Sequence, residues 1–407
     1  MSGSVTVQSA FGQQLSIPFN STDNITLAQQ IAFGISQGVS SGTVTSASSS
    51  SGPPATIPAG GSGVFFQDTR GLTLLPKGYD AVVSSTPGGT IFGSGGAGES
   101  VLGGNGGLTF VATGGSGTVV AGGGKNDIVV SPVDAGSWFI ATGGGADTIL
   151  AVGPGNDTIR PGGGTNLVLL GKGHDQLTLT GTDSITGTTG GFDTIDATGA
   201  ASTYVNAVGA SLIFVGGAGP ATILGGTGSD TVLGGSGRLV VHGGTAGKNL
   251  LIAGSGPSTL YGGGSGDQLY AGAGTAPQAL FAGAGNETLS AGLSFGAVSL
   301  RGGSGTDVLI GGVGQDTFVA GSGTATLAAG GGSDTFAFIA GSAGGKDLII
   351  NFSSADKIDL TGYGPNAVED ALTTQTTGAD GSVSITLSDH TKITFSGVSS
   401  LKPGNFV

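Results

Sequence analysis

Between Arg301 and Phe338 a large apolar side chain recurs every nine residues, with glycine and polar positions between in a fixed order. The four segments read GGSGTDVLI, GGVGQDTFV, AGSGTATLA and AGGGSDTFA. In register, glycine stands second and fourth, and Asp307, Asp316, Ala325 and Asp334 stand sixth. Leu309, Phe318, Leu327 and Phe336 stand eighth. Two glycines one residue apart predict a turn whose φ values are closed to other residues. The triplet around the apolar residue predicts a short strand with that residue on one face. Two nonapeptides then close a flattened coil of about eighteen residues, with the eighth positions pointing inward from two sheets.

From about Gly89 onward the same punctuation recurs, and many copies keep the glycines and the apolar residue while losing the aspartate. Examples are Gly217 and Gly219 with Ile223, Gly254 and Gly256 with Leu260, and Gly283 and Gly285 with Glu287 and Leu289. Strand hydrogen bonds and burial of about 1.5–3 kcal/mol per large side chain must therefore hold every coil. Threonine recurs at position seven, where β-branched residues suit a strand. Residues 200–211 and 292–299 break the period and predict bulges or longer loops.

The ends differ from the middle. Ile25, Ala28, Ile31, Ala32 and Ile35 recur at helical spacing within residues 24–38, and Thr26 with Gln29 has the form of a capping box. The expected organisation is a small N-terminal region with an amphipathic helix (1–40) and a Ser/Gly/Pro linker (41–63). A parallel β-roll (64–345) and a strand-rich C-terminal cap (346–407) follow. The fold class is all-β, a parallel β-solenoid.

Composition narrows the functions. Glycine fills 88 of 407 positions without collagen's triplet period, and only 9% of residues are charged, which sets the chain apart from disordered sequences. A net charge of −13 with no basic patch argues against nucleic acid. Cysteine is absent, so there is no disulfide framework or thiolate site. The N-terminus lacks the features of a secretory signal peptide, and no apolar run is long enough to span a membrane.

The pattern G-G-x-G-x-D-x-U-x resembles the calcium-binding nonapeptide of RTX proteins exported by type I secretion. The C-terminal order of strands with a final Phe406-Val407 is similar to the uncleaved secretion region of that family. The resemblance implies Ca2+, export through type I secretion machinery and an extracellular or cell-surface location. Candidate ligands are the sixth-position carboxylates Asp147, Asp157, Asp175, Asp193, Asp230, Asp307, Asp316 and Asp334. A full site is expected to need carboxylates eighteen residues apart, as in Asp157/Asp175/Asp193 and Asp316/Asp334. Asp147, Asp230 and Asp307 lack such a partner and are equally well read as solvated turn carboxylates.

No catalytic residue is assigned, since Arg160, Lys172, His174 and Asp175 are the nearest approach to a polar cluster and enzyme activity is not expected. The favoured function is a calcium-associated structural protein that self-assembles as a surface layer, filament or biofilm matrix. The alternatives are an adhesin or carbohydrate-binding module for surface polysaccharide, and a carbohydrate-active solenoid enzyme. Homotypic association is expected through the weakly charged middle of the chain.

Overall fold

The computed structural model describes residues 3–9, 12, 14–19, 22–187 and 190–407. They form two compact units, Met1–Ser211 and Leu212–Val407, built on the same coil.

In the first unit, strands Gly3–Gln8 and Gln14–Phe19 pair antiparallel. The helix Thr22–Ser41 follows. Val5, Val7, Ile17 and Phe19 pack with Ala28, Ala32 and Ile35 against Val64, Phe66, Val83, Leu102 and Val120, so the N-terminal region lies on the flank of the coils. The buried Asn24 side chain donates to the carbonyls of Ala121 and Thr142 (3.3 and 2.8 Å), fixing the start of the helix to two coils. Because the helix begins at Thr22, Thr26 and Gln29 are interior residues and form no capping box.

The segment expected as a linker holds the first strand of the coil. Val44–Ser48 pairs parallel with Ser62–Gln67, which pairs with Tyr79–Ser84. Its serines are structural: Ser49 Oγ and the Ser50 amide donate to Asp68 Oδ1 (2.7 and 2.8 Å). Ile57 is buried, and the Tyr79 hydroxyl reaches the Ala55 carbonyl at 3.0 Å. The roll thus starts about twenty residues earlier than its glycine pattern, because short hydroxyl side chains close these turns.

Beyond this point one parallel sheet continues to Phe192–Ala197, and the facing sheet runs from Leu72–Leu74 to Ser202–Asn206. Residues 200–211, expected as an irregular loop, contain that last strand in register with Thr182–Thr186. Alanine closes the turns on either side of it, with Ala200 N–H on Ala197 O and Ala210 N–H on Ala207 O.

In the second unit the facing sheets end in Lys346–Ile350 and Lys357–Thr361. The coil therefore runs past residue 345. Residues 292–299 do include a broad turn, ahead of strand Val298–Arg301, and it leaves Leu293 and Phe295 each 66% exposed. The helix Ala367–Thr373 and the hairpin Val383–Thr386 with Lys392–Phe395 follow. Lys392–Phe395 pairs parallel with Lys346–Ile350, covering a sheet edge that would otherwise be open to another strand.

The interior of both units is one residue thick per sheet. Eighth-position side chains such as Ile159, Leu280, Phe318 and Phe336 are fully buried, and the rings of Phe318 and Phe336 stack at 4.8 Å. Coils vary from 17 to 22 residues around the average the repeat implies.

The glycines are explained by close approach. A Cβ on Gly303, Gly305, Gly321 or Gly330 would lie 1.4–2.0 Å from the carbonyl oxygen of Gly283, Gly285, Gly303 or Gly312, one coil earlier. None of these four has a positive φ, so steric exclusion accounts for them, whereas the repeat glycines Gly115, Gly162 and Gly164 do adopt the left-handed φ that the pattern predicts. Gly332 alone between residues 301 and 338 needs both, at φ 101°.

Candidate metal site: buried carboxylate ladders

Residues six and eight of a nonapeptide alternate with residue seven along the strand, so both point inward. The sixth-position carboxylates accordingly enter the core. Asp147, Asp157, Asp175, Asp230, Asp316 and Asp334 are each 1% exposed, Asp307 2% and Asp193 3%. The reading of Asp147, Asp230 and Asp307 as solvated turn carboxylates is therefore overturned.

Each carboxylate is held from the coil before it. Asp157 N–H donates to Asp175 Oδ1 (2.8 Å), and Asp175 N–H to Asp193 Oδ1 (3.4 Å). Asp316 N–H donates to Asp334 Oδ1 (2.9 Å) and Asp334 N–H to Asp356 Oδ1 (2.9 Å). The second oxygen often reaches the second glycine of the same nonapeptide, as Gly303 N–H does to Asp307 and Gly312 N–H to Asp316 (2.7 and 2.6 Å).

The structure thus brings together the residues expected in pairs, and it gives the others neighbours too. Asp147 accepts from the Asn126 amide 21 residues before it, and its own N–H reaches Asn166 Oδ1. Asp230 N–H donates to Asn249 Oδ1 across 19 residues, and Asn249 N–H to Asp267 Oδ1 across 18. Asp307 accepts from Glu287 N–H across 20. Counting aspartates by eighteen misses the links of 19 to 21 residues, and the eighteen-residue step from Asn249 to Asp267 because it starts at an asparagine. It also omits Glu99, Asp183, Asp267, Glu287, Asp347 and Asp356, all buried. Aligning chain segments on the buried eighth residue finds most of them.

The electrostatics of the ladders are unusual. Asp157 Oδ2, Asp347 Oδ2 and Glu99 Oε2 are buried without a hydrogen-bond partner. Among the described residues the ion pair Lys125–Asp127 (3.4 Å) is an exposed one, and it leaves the ladders without a cationic partner. Burial is the main cause that pushes Asp157, Asp193 and Asp334 up to about 6, and Asp175 and Asp347 to about 7. Asp193 and Asp157 add to the effect at Asp175. Burial, with the Asp307 carboxyl beside it, also holds Glu287 well above the usual range.

A buried carboxylate with no cation must take up a proton or a metal ion. Backbone oxygens lie close by: the place of a missing Cβ on Gly173 is 1.8 Å from Gly155 O and 3.3 Å from Asp175 Oδ1. Carboxylates and carbonyls are hard donors of the kind that suit calcium. No group of three or more His, Cys, Asp or Glu side chains able to hold a metal occurs among the described residues, so backbone oxygens have to complete any site.

A family model, the RTX calcium-binding nonapeptide repeat, matches four stretches: residues 140–177, 213–238, 243–275 and 301–336. These four stretches of the chain are RTX repeats. The RTX stretches include Asp147, Asp157, Asp175, Asp230, Asp307, Asp316 and Asp334, while Asp183, Asp193 and Asp347 extend the same ladders outside them. No curated protein matches the chain. No helix among the described residues is long and apolar enough to cross a membrane.

Proposed function

We propose that this RTX chain is an extracellular structural protein, loaded with calcium along its coils, that assembles with its own copies as a surface layer, filament or matrix. The observation that carries this reading is the set of buried carboxylates without a cation. Asp157, Asp175, Asp193, Asp316 and Asp334 are the first residues assigned to calcium, with Asp147, Asp230 and Asp307 joined to them through their ladder neighbours. Bound calcium supplies the positive charge that lets these carboxylates stay ionised inside the core. The proposed role calls on no catalytic residue; of the four polar residues grouped in the sequence, Lys172 and His174 stand in solvent, Asp175 is in the core, and Arg160 lies over the Phe139 ring at 5.2 Å.

Self-association is placed on the turns of the second unit. Leu293 and Phe295 are 66% exposed and Val313, on the neighbouring turn, 57%, with Val313 N–H bonded to Ser294 O. Such an apolar knob on a weakly charged surface suits contact with a second copy. Replacing Leu293→Lys and Phe295→Lys is expected to leave calcium-loaded protein monomeric in sedimentation velocity, with an unchanged circular dichroism spectrum. Assemblies identical to those of the parent in electron micrographs with calcium would sink this assignment.

Export is assigned to residues 346–407. Because Lys346–Ile350 and Lys357–Thr361 are also sheet strands, transplantation is a cleaner test than deletion. Fused behind a passenger, these residues are expected to carry it out through a type I exporter. A passenger retained in the cytosol would contradict the assignment.

A further inference from the structure

We propose that the outer face of the second unit carries a groove for a linear acidic polysaccharide. The sheet register lines up Thr259, Ala279, Ser299 and Thr317, all outward and small or short, as a floor along successive coils. On one side stand Arg238, Pro257 and Pro277, exposed two residues earlier in each strand, and the depression they bound with the floor encloses about 470 Å³.

On the other side runs a ridge of rings. His242 and Tyr261 stack at 4.4 Å and 3°, and Tyr261 and Phe281 at 4.7 Å and 17°, with Arg301 next in register. Stacked in this way, each inner ring face is covered by its neighbour, so the ridge shows ring edges. An aromatic edge is the positive end of the ring quadrupole and favours anionic oxygen.

Charge decides the class of ligand. Between Leu212 and Gly345 the acidic residues are Asp230, Asp267, Glu287, Asp307, Asp316 and Asp334, and all six are buried. The basic residues of that stretch, Arg238, Lys248 and Arg301, are all exposed. A segment whose formal charge is negative therefore presents only positive groups to solvent, within a chain of net charge −13. Arg238 and Arg301 lie three coils apart, roughly 14 Å along the groove at the spacing of neighbouring strands.

Two arginines at that distance match a polymer with sparse negative charge. A nucleic-acid backbone, charged every few ångström, needs a denser array. An extended peptide would seek a free strand edge, and these floor strands are paired on both sides. Proline rings and the hydroxyls of Thr259, Ser299 and Thr317 offer the mixed apolar and hydrogen-bonding surface that a sugar chain presents in return.

The inference stands apart from the calcium assignment, and the test keeps calcium saturating throughout. Binding of hyaluronate and chondroitin sulfate to the full chain is compared with that of neutral dextran and duplex DNA by calorimetry. At least one acidic glycan is expected to bind, with affinity falling as salt rises, and dextran and DNA to bind at least tenfold more weakly. Arg238→Gln with Arg301→Gln should reduce glycan affinity about tenfold or more, and Ser299→Phe, which fills the floor, should do likewise with both arginines in place. The proposal is overturned if neither acidic glycan binds, if either variant binds as the parent does, or if dextran or DNA binds as tightly.

Discussion

In chelator, the protein is expected to lose thermal stability steadily as pH rises from about 4 to about 8. Burial raises Asp175 from the ordinary 3.8 to about 7, and Asp157, Asp193 and Asp334 to about 6. Between the two values the folded chain keeps a proton that the unfolded chain has released, so raising the pH favours unfolding. The loss begins near the unfolded value and is complete once pH has passed the folded one. At about 1.4 kcal/mol per pKa unit, Asp175 and Asp193 each cost on the order of a few kcal/mol at neutral pH, and the less enclosed Asp334 costs less.

Saturating calcium should restore stability at pH 8, because a ligand bound only by the folded state adds stability by mass action. Asp175→Asn keeps an oxygen to accept the Asp157 N–H and removes the charge, so it should raise the melting temperature in chelator at pH 8. It should also weaken the response to calcium. A melting temperature that climbs with pH in chelator would contradict the burial argument.

Two adjacent glycines should give opposite outcomes. A Cβ on Gly330 would sit 1.7 Å from the Gly312 carbonyl, whereas on Gly331 its nearest neighbour is Val313 Cα at 3.6 Å, an ordinary contact. Gly330→Ala must therefore push two stacked coils apart, with an expected loss of about 3 kcal/mol or more. Gly331→Ala should change stability by about 0.5 kcal/mol or less. Chemical denaturation of the two variants side by side measures the difference. Equal tolerance would show that the second glycine of the repeat is not kept by coil spacing.

The period and the inward direction of the eighth residue were legible because a repeated nonapeptide can close its strands in few ways. Leu309, Phe318, Leu327 and Phe336 all lie where the pattern puts them. The first coil was hidden because Ser49 and Ser50 do the turn-closing work that glycine does elsewhere, and serine-rich composition alone suggests a linker. The coil at 202–206 was hidden because alanine turns replace the glycine signal.

The carboxylates are legible in the sequence as a set, but their environment is not. Position six lies at the strand entrance, and only the register shows that it shares the inward face with position eight. Coil length varies through loops such as 292–297, so the neighbours of Asp147, Asp230 and Asp307 fall 19 to 21 residues away and escape a fixed count. The groove on the second unit was invisible for a related reason. It depends on which of the charged residues are buried, a property of the coil rather than of the composition.

Proton release on calcium binding tests the central claim most directly, since buried carboxylates raised to about 6 or 7 must give up protons to hold a cation. Calorimetric titration at about pH 6 in buffers of different ionisation enthalpy yields the number of protons released per ion. The account predicts clear release there, fading toward zero above about pH 8, and a smaller release in Asp175→Asn. Calcium binding without proton release at about pH 6 would show that the ions are held by groups outside the buried ladders.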